Sequence, residues 1–178
     1  EAVDAARLLS GKGVAGDTWI DWPALMQHKE SFTDPVPENM EDGLKKAGVQ
    51  TLHGSARFTA ADRIEIDGHG EIKFGHALIA TGAKPRPLDF PGAECLIDST
   101  DFLNLSNLPK RIIFVGGGYI SFEFAHIAAR AGAEVTILDH GARQFKLFDP
   151  DLVDMLLERS RAAGIEIISE ATPEKIEA

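Results

Sequence analysis

The segment Gly116-Gly117-Gly118-Tyr119-Ile120-Ser121 sets glycines where a backbone must turn tightly and then lie against a bulky anion. Gly116 permits the turn, and Gly118 removes the side chain that would hold a pyrophosphate away from the backbone. The third position of the pattern requires a small side chain for close strand–helix packing, and Ser121 stands there instead of glycine or alanine. Free N–H groups at the start of the helix that Tyr119 and Ile120 open add donors and partial positive charge facing the anion. About 20 residues onward, Asp139 supplies a carboxylate suited to accept hydrogen bonds from a ribose diol. A glycine run alone says little, but strand, loop, helix, second strand and terminal acid in register specify a dinucleotide. A 2′-phosphate beside Asp139 would meet roughly 4 kcal/mol of repulsion at about 4 Å and an effective dielectric of about 20. His140, Arg143 and Lys146 offset part of it, and the balance favours NADH over NADPH.

These residues need a βαβαβ frame, and the chain supplies its pattern from Leu108 onward. Ile112-Ile113-Phe114-Val115 has the continuous apolar character of a buried parallel strand. The helix after the glycines is expected to bury Ile120, Phe124, Ile127 and Ala131, and Gly132 ends it. Val135-Thr136-Ile137-Leu138 forms the second strand. Asp149-Pro150 opens another helix with an N-cap carboxylate and a first-turn proline. Leu152, Met155, Leu156 and Ala163 are its expected apolar stripe, Gly164 stops it, and Ile165-Glu166-Ile167-Ile168 is the third strand.

The first half of the chain reads differently. Residues 1–9 carry apolar positions at helical spacing, and a second helix starts near Asp21-Trp22-Pro23, with Pro35 and Pro37 breaking it before Gly48. Ile64 and Ile66 alternate with acids, Gly68-His69-Gly70 turns, and Ile72 and Phe74 alternate beyond, the pattern of a β-hairpin. Ala77-Leu78-Ile79-Ala80 reads as a short buried strand, followed by a proline-rich connection. Residues 172–178 have the look of another strand opening. Trp19 and Trp22 are expected to be core or packing residues.

The chain has 178 residues, a formal net charge of −10 and one cysteine, Cys95. The acidic balance opposes general binding to nucleic acid or anionic membranes. No apolar run approaches the roughly 20 residues of a membrane-spanning helix. A single cysteine forms no intrachain disulfide and suits a reducing, cytoplasmic setting. The six histidines lack metal-ligand spacing, so no metal site is expected. Cys95 has no partner or activating context and reads as incidental.

Leu108-Pro109-Lys110-Arg111-Ile112-Ile113-Phe114-Val115-Gly116-Gly117-Gly118-Tyr119-Ile120-Ser121-Phe122-Glu123 resembles the flavin-dependent pyridine nucleotide–disulfide oxidoreductases, among them glutathione reductase, mercuric reductase and dihydrolipoamide dehydrogenase. Ala77-Leu78-Ile79-Ala80-Thr81-Gly82-Ala83-Lys84-Pro85 is similar to their ATG signature between flavin and nicotinamide domains. His53-Gly54-Ser55-Ala56-Arg57-Phe58 resembles the strand that reaches the FAD adenine, and Phe148-Asp149-Pro150-Asp151 also recurs in the family. The resemblance implies an α/β fold of FAD- and NAD(P)-binding Rossmann-like domains, a parallel sheet with helices plus a small antiparallel meander, both incomplete in this chain. Residues 1–108 would be the central part of the FAD domain, and 109–178 the first half of the NAD(P) domain.

Site roles follow from the same resemblance. Gly116, Gly118, Ile120 and Ser121 belong to the NAD(P) loop. Tyr119 matches a residue covering the flavin, and Glu123 a carboxylate near the nicotinamide. Asp139 falls where NADH-using members carry an acid, and His140 and Lys146 where NADPH-using members carry arginines. Gly54, Ser55, Ala56, Thr81 and Gly82 match FAD-contacting positions. The family's first flavin loop, cysteine pair, catalytic histidine and dimerisation domain have no counterpart in these residues, so an internal fragment of a longer, homodimeric enzyme is expected, itself inactive. Its parent would pass hydride from NAD(P)H to FAD and on to a small disulfide, metal or quinone acceptor. The other readings are a stand-alone nucleotide-binding module and a single-cysteine NADH oxidase or peroxidase relative.

Overall fold

The computed structural model describes residues 2–177, and the chain divides into two compact units. One comprises Glu1–His28 and Arg86–Ala178, the other Lys29–Pro85.

In the first unit, β4 (Arg111–Val115), β5 (Glu134–Leu138) and β6 (Ile165–Ile168) form a parallel sheet in the order β4-β5-β6. Its register pairs Ile112 with Val135 and Ile137 with Ile167. Parallel neighbours require crossovers, and α5 (Tyr119–Arg130) and α6 (Pro150–Ala162) provide them. Strand alternation sends Val135, Ile137 and Ile165 into one core with Phe122, Ala125 and Ala128 of α5 and Val153 and Leu157 of α6. Both helices therefore cover the same face, as successive right-handed crossovers dictate. The opposite face leaves Ile113 and Ile168 exposed. Asp149 caps α6 by accepting from the Asp151 and Leu152 N–H groups, and Pro150 occupies the first turn as expected.

The helix faces differ from the stripes expected from sequence. In α5, Ile120 and Ile127 are exposed while Phe122, Ala125 and Ala128 are buried. In α6, Leu152 and Met155 are exposed, and Ala163 lies in the exposed cap; Val153, Leu157 and Ser160 are buried, with Leu156 half-buried. Both helices carry two overlapping apolar stripes about one residue apart. The sheet decides which of them is buried, packing Phe122, Ala125 and Ala128 of α5 and Val153 and Leu157 of α6 against Val135, Ile137 and Ile165.

The same unit contains α1 (Ala2–Leu8), the start of α2 (Trp22–Thr33) and the short α4 (Ser99–Leu103). Asp98 and Asp101 close a reciprocal capping box on α4. Trp22 is buried, with its indole N–H donating to Leu105 O at 2.7 Å and its ring edge-on to Phe102. Trp19 is 74% exposed and so is not the packing residue expected. Arg130 links α5 to α1 through Asp4 at 2.7 Å and also meets His126 Nδ1 at 2.9 Å. His126 Nε2 lies 2.9 Å from the buried Ser160 Oγ of α6. Residues 172–177 form no strand, although the Ile176 N–H donates to Pro91 O at 2.9 Å; Ala178 lies outside the described residues, as does Glu1 at the head of the first expected helix.

The second unit holds the end of α2, then α3 (Val36–Lys46) and an antiparallel meander of β1 (Ala56–Ala60), β2 (Arg63–Ile66) and β3 (Gly70–Lys73). The helix breaks at Pro35, as the prolines require, and Ile64 faces Ile72 across the expected hairpin. Gly68 and Gly70 turn it at positive φ, which a β-branched residue would resist. Glu41 on α3 receives the Thr51 hydroxyl and pairs with Lys45 and His53. Those partners, Lys45 foremost, hold its carboxyl down to about 2. Residues 77–80 are not a buried strand: they adopt no strand, and Leu78 is 93% exposed. A short apolar run becomes a buried strand only beside pairing neighbours, and none of the described strands pairs with it.

Candidate functional site

Parallel pairing brings the ends of β4 and β5 together, and both ends carry the chemistry. Gly116 leaves β4 at φ 109°, and its N–H donates to Leu138 O at 2.7 Å, which pins the glycine turn to the end of β5. Gly118 is the extended N-cap residue of α5, and no side chain caps this helix. Its first N–H groups are thus left to a ligand or solvent.

Asp139 follows β5 directly and is only 6% exposed. Its backbone extends the pairing of β5 with the β6 side, donating to Ile168 O and accepting from the Ala171 N–H, both at 2.9 Å. Its Oδ1 accepts from the Gly141 N–H at 3.3 Å and lies 3.4 Å from His140 Nδ1. Its Oδ2 accepts from Gln144 Nε2 at 3.3 Å. A Cβ placed on Gly117 would lie 2.4 Å from that same Oδ2, so the carboxylate sits where any side chain at Gly117 would go.

Together these groups line a cavity of about 380 Å3, built from Gly116–Gly118 on one side and Asp139, His140, Gly141, Arg143, Phe145 and Lys146 on the other. That volume falls in the range of small-molecule sites. Arg143 brings a buried Nη2 with no hydrogen-bond acceptor among the described residues. The Asp154 carboxylate lies 3.5 Å away, close enough for attraction but outside hydrogen-bond geometry.

Of the residues singled out by sequence, Gly116, Gly118, Asp139, His140 and Lys146 meet at this cavity. Tyr119, Ile120, Ser121 and Glu123 occupy the first turns of α5 but are not among its lining residues. Tyr119 is 64% exposed. Gly54, Ser55, Ala56, Thr81 and Gly82 belong to the other unit. There Ser55 O accepts from the Asp67 N–H, and Ala56 pairs with Ile66 on β1. A Cβ on Gly54 would lie 2.5 Å from Asp67 O, so the chain's own hairpin accounts for that glycine. Gly82 adopts φ 74° in an exposed, irregular stretch.

Sequence reasoning missed Gly117, Phe145 and Gln144. Gly117 gave a signal, as the middle of a glycine triplet in which only the flanking positions had assigned tasks. Gln144 gave none, since a glutamine in a polar loop normally faces water.

The family described as pyridine nucleotide-disulphide oxidoreductase matches residues 9–178. The chain is 30% identical to the dihydrolipoyl dehydrogenase of Mycoplasma genitalium over 167 residues, covering 90% of this chain and 36% of that protein. It is 30% identical to the dihydrolipoyl dehydrogenase of Bacillus subtilis over 158 residues, covering 86% and 34%. The HOCl-induced flavoprotein disulfide reductase RclA from Escherichia coli superposes with a TM-score of 0.82 at 28% identity, over 98% of this chain and 39% of that one. The chain thus spans about a third of the length of the curated relatives it matches. Parallel sheet, antiparallel meander, glycine loop and matched span agree, and the chain belongs to the pyridine nucleotide-disulphide oxidoreductase family.

Proposed function

We propose that this chain binds NADH in the cavity between the glycine loop and Asp139, as part of a flavin-dependent oxidoreductase. The observation that carries the reading is the packing of the Asp139 carboxylate into the space left by Gly117. That arrangement gives an adenosine ribose a fixed acceptor beside a backbone that a pyrophosphate can approach. The residues present suit such an anion. The α5 N-terminus has no side-chain cap, and Arg143 and Lys146 bring positive charge to the cavity lining. The negative charge of Asp139 opposes a 2′-phosphate, which favours NADH over NADPH.

The remaining assignments rest on resemblance and family membership. Residues 1–108 would contribute the central part of an FAD-binding domain, with Gly54, Ser55, Ala56, Thr81 and Gly82 at the flavin nucleotide. Residues 109–178 would be the first half of the NAD(P) domain, with Tyr119 and Glu123 toward the nicotinamide. Bound together, the two cofactors supply hydride transfer from nicotinamide to flavin, and this chain's residues hold and orient the donor. The names of the relatives point to a disulfide-type acceptor, and a longer homodimeric enzyme would complete the reaction. This chain alone would not reduce disulfides.

Titration of the purified chain with NADH and NADPH tests the reading. NADH is expected to bind more tightly, and Asp139→Ala to narrow the difference by roughly an order of magnitude, about the effect of losing one charge-assisted hydrogen bond and a like-charge repulsion. Tighter binding of NADPH by the unsubstituted chain would overturn the role given to Asp139.

A further inference from the structure

Asp139 does not hold its position unaided. Gln144 is 2% exposed, an unusual place for an amide side chain unless its hydrogen bonds are satisfied. Its Nε2 donates to Asp139 Oδ2 at 3.3 Å and to Ser169 Oγ at 3.0 Å, so one amide nitrogen spans the loop after β5 and the residue after β6. The next residue, Phe145, has φ 49°, in the left-handed region that non-glycine residues rarely adopt. Its ring packs against Phe122 with centroids 4.9 Å apart, which retains that backbone shape. The loop is thus bent in a way that turns the Gln144 amide inward. A methionine would fill the same space without a polar group to satisfy. What the glutamine adds is a donor aimed at the oxygen that Gly117 leaves room for.

We infer that Gln144 is the positioning residue for Asp139, holding its carboxylate in the one orientation that accepts a ribose diol and stands in the way of a 2′-phosphate. The inference rests on the nucleotide reading proposed above and extends it from the acid to the group that directs it. Oδ2 is confined by the Gly117 backbone on one side and the Gln144 amide on the other. Oδ1 is held by the Gly141 N–H. A carboxylate has about four acceptor sites, so these contacts leave capacity for a diol. Without the amide, Asp139 can rotate away. The diol then loses a preorganised acceptor, and a 2′-phosphate meets a charge free to withdraw.

The test is titration of the wild-type chain, Gln144→Met and Ser169→Ala with NADH and with NADPH, with circular dichroism to confirm the fold. For Gln144→Met, the dissociation constant for NADH is expected to rise on the order of tenfold, as for one lost hydrogen bond to a charged group. NADPH binding should stay within about twofold or tighten. Ser169→Ala, which removes only the amide's second anchor, should shift the ratio in the same direction by a smaller factor. It decides the question alone if Gln144→Met does not fold. Equal weakening of both nucleotides would mean that Gln144 merely fills space, and an unchanged ratio in folded variants would equally overturn the inference. Failure of the wild-type chain to bind either nucleotide would overturn the nucleotide reading itself, and the inference with it.

Discussion

A Cβ on Gly117 would come within 2.4 Å of one Asp139 oxygen and 2.6 Å of its carboxyl carbon, distances that real Cβ contacts do not reach. The φ of Gly117 is not positive, so the requirement for glycine there is steric. The neighbouring Gly116, at φ 109°, is required for its backbone conformation instead. The two glycines therefore fail differently when replaced. Gly117→Ala should displace Asp139 while leaving the loop backbone intact. NADH binding measured by titration is expected to weaken at least tenfold, with the far-ultraviolet circular dichroism unchanged. Full retention of NADH affinity would show that the carboxylate has no role where it sits. The sequence displayed the glycine triplet and the acid, but their contact was not legible, because it depends on the parallel register of β4 and β5.

At the scale of elements, α5 and α6 are joined by a polar chain from Asp4 through Arg130 and His126 to Ser160. Burial, with the nearby Arg130 charge second, pushes the His126 imidazole below its ordinary value of 6.5, and Asp4 opposes this in part. The unfolded chain then binds more protons than the folded one as the pH falls through 6.5. The contribution of His126 to stability is complete above 6.5 and is lost as the pH drops through its lower folded-state value. Protonation also removes the Nδ1 lone pair that faces Arg130 Nη1 at 2.9 Å. The melting temperature is expected to fall between neutral and mildly acidic pH, and His126→Gln should flatten that dependence. An identical pH profile for the variant would place the titration elsewhere.

Across the whole molecule, the two units are unequal in what they bury. All the buried apolar residues among those described, from Trp22 to Ile165, lie in the unit containing the parallel sheet. In Lys29–Pro85 no described residue is buried. Its meander is held by backbone pairing and exposed ion pairs such as Arg63 on β2 with Glu71 on β3, which solvent screens to a small contribution. Hydrophobic burial dominates stability, so local opening should cost much less there than in the sheet. Amide hydrogen exchange is expected to be fast throughout residues 29–85 and slowest in β5 and its β4 and β6 neighbours. Limited proteolysis should cut first within 29–85. Equal protection of β2 and β5 would contradict this ordering.

What the sequence determined by itself is local or periodic: the βαβαβ order, the glycine turn, the Asp149-Pro150 helix start, the proline break before α3 and the hairpin at Gly68-His69-Gly70. Each depends on backbone sterics or hydrogen bonding within a few residues, which the chain carries wherever it folds. Family membership was also legible, because its motifs occur in order along the chain. Tertiary structure alone decided which of two overlapping stripes α5 and α6 bury, whether residues 77–80 become a strand, and what surrounds Asp139. A helix with two apolar stripes has no preferred face until a sheet chooses one, and a short apolar run has no partner until neighbouring strands provide it. Gln144 shows the limit most directly: a loop residue became a buried donor because β5 and β6 brought Asp139 and Ser169 within reach of a single amide.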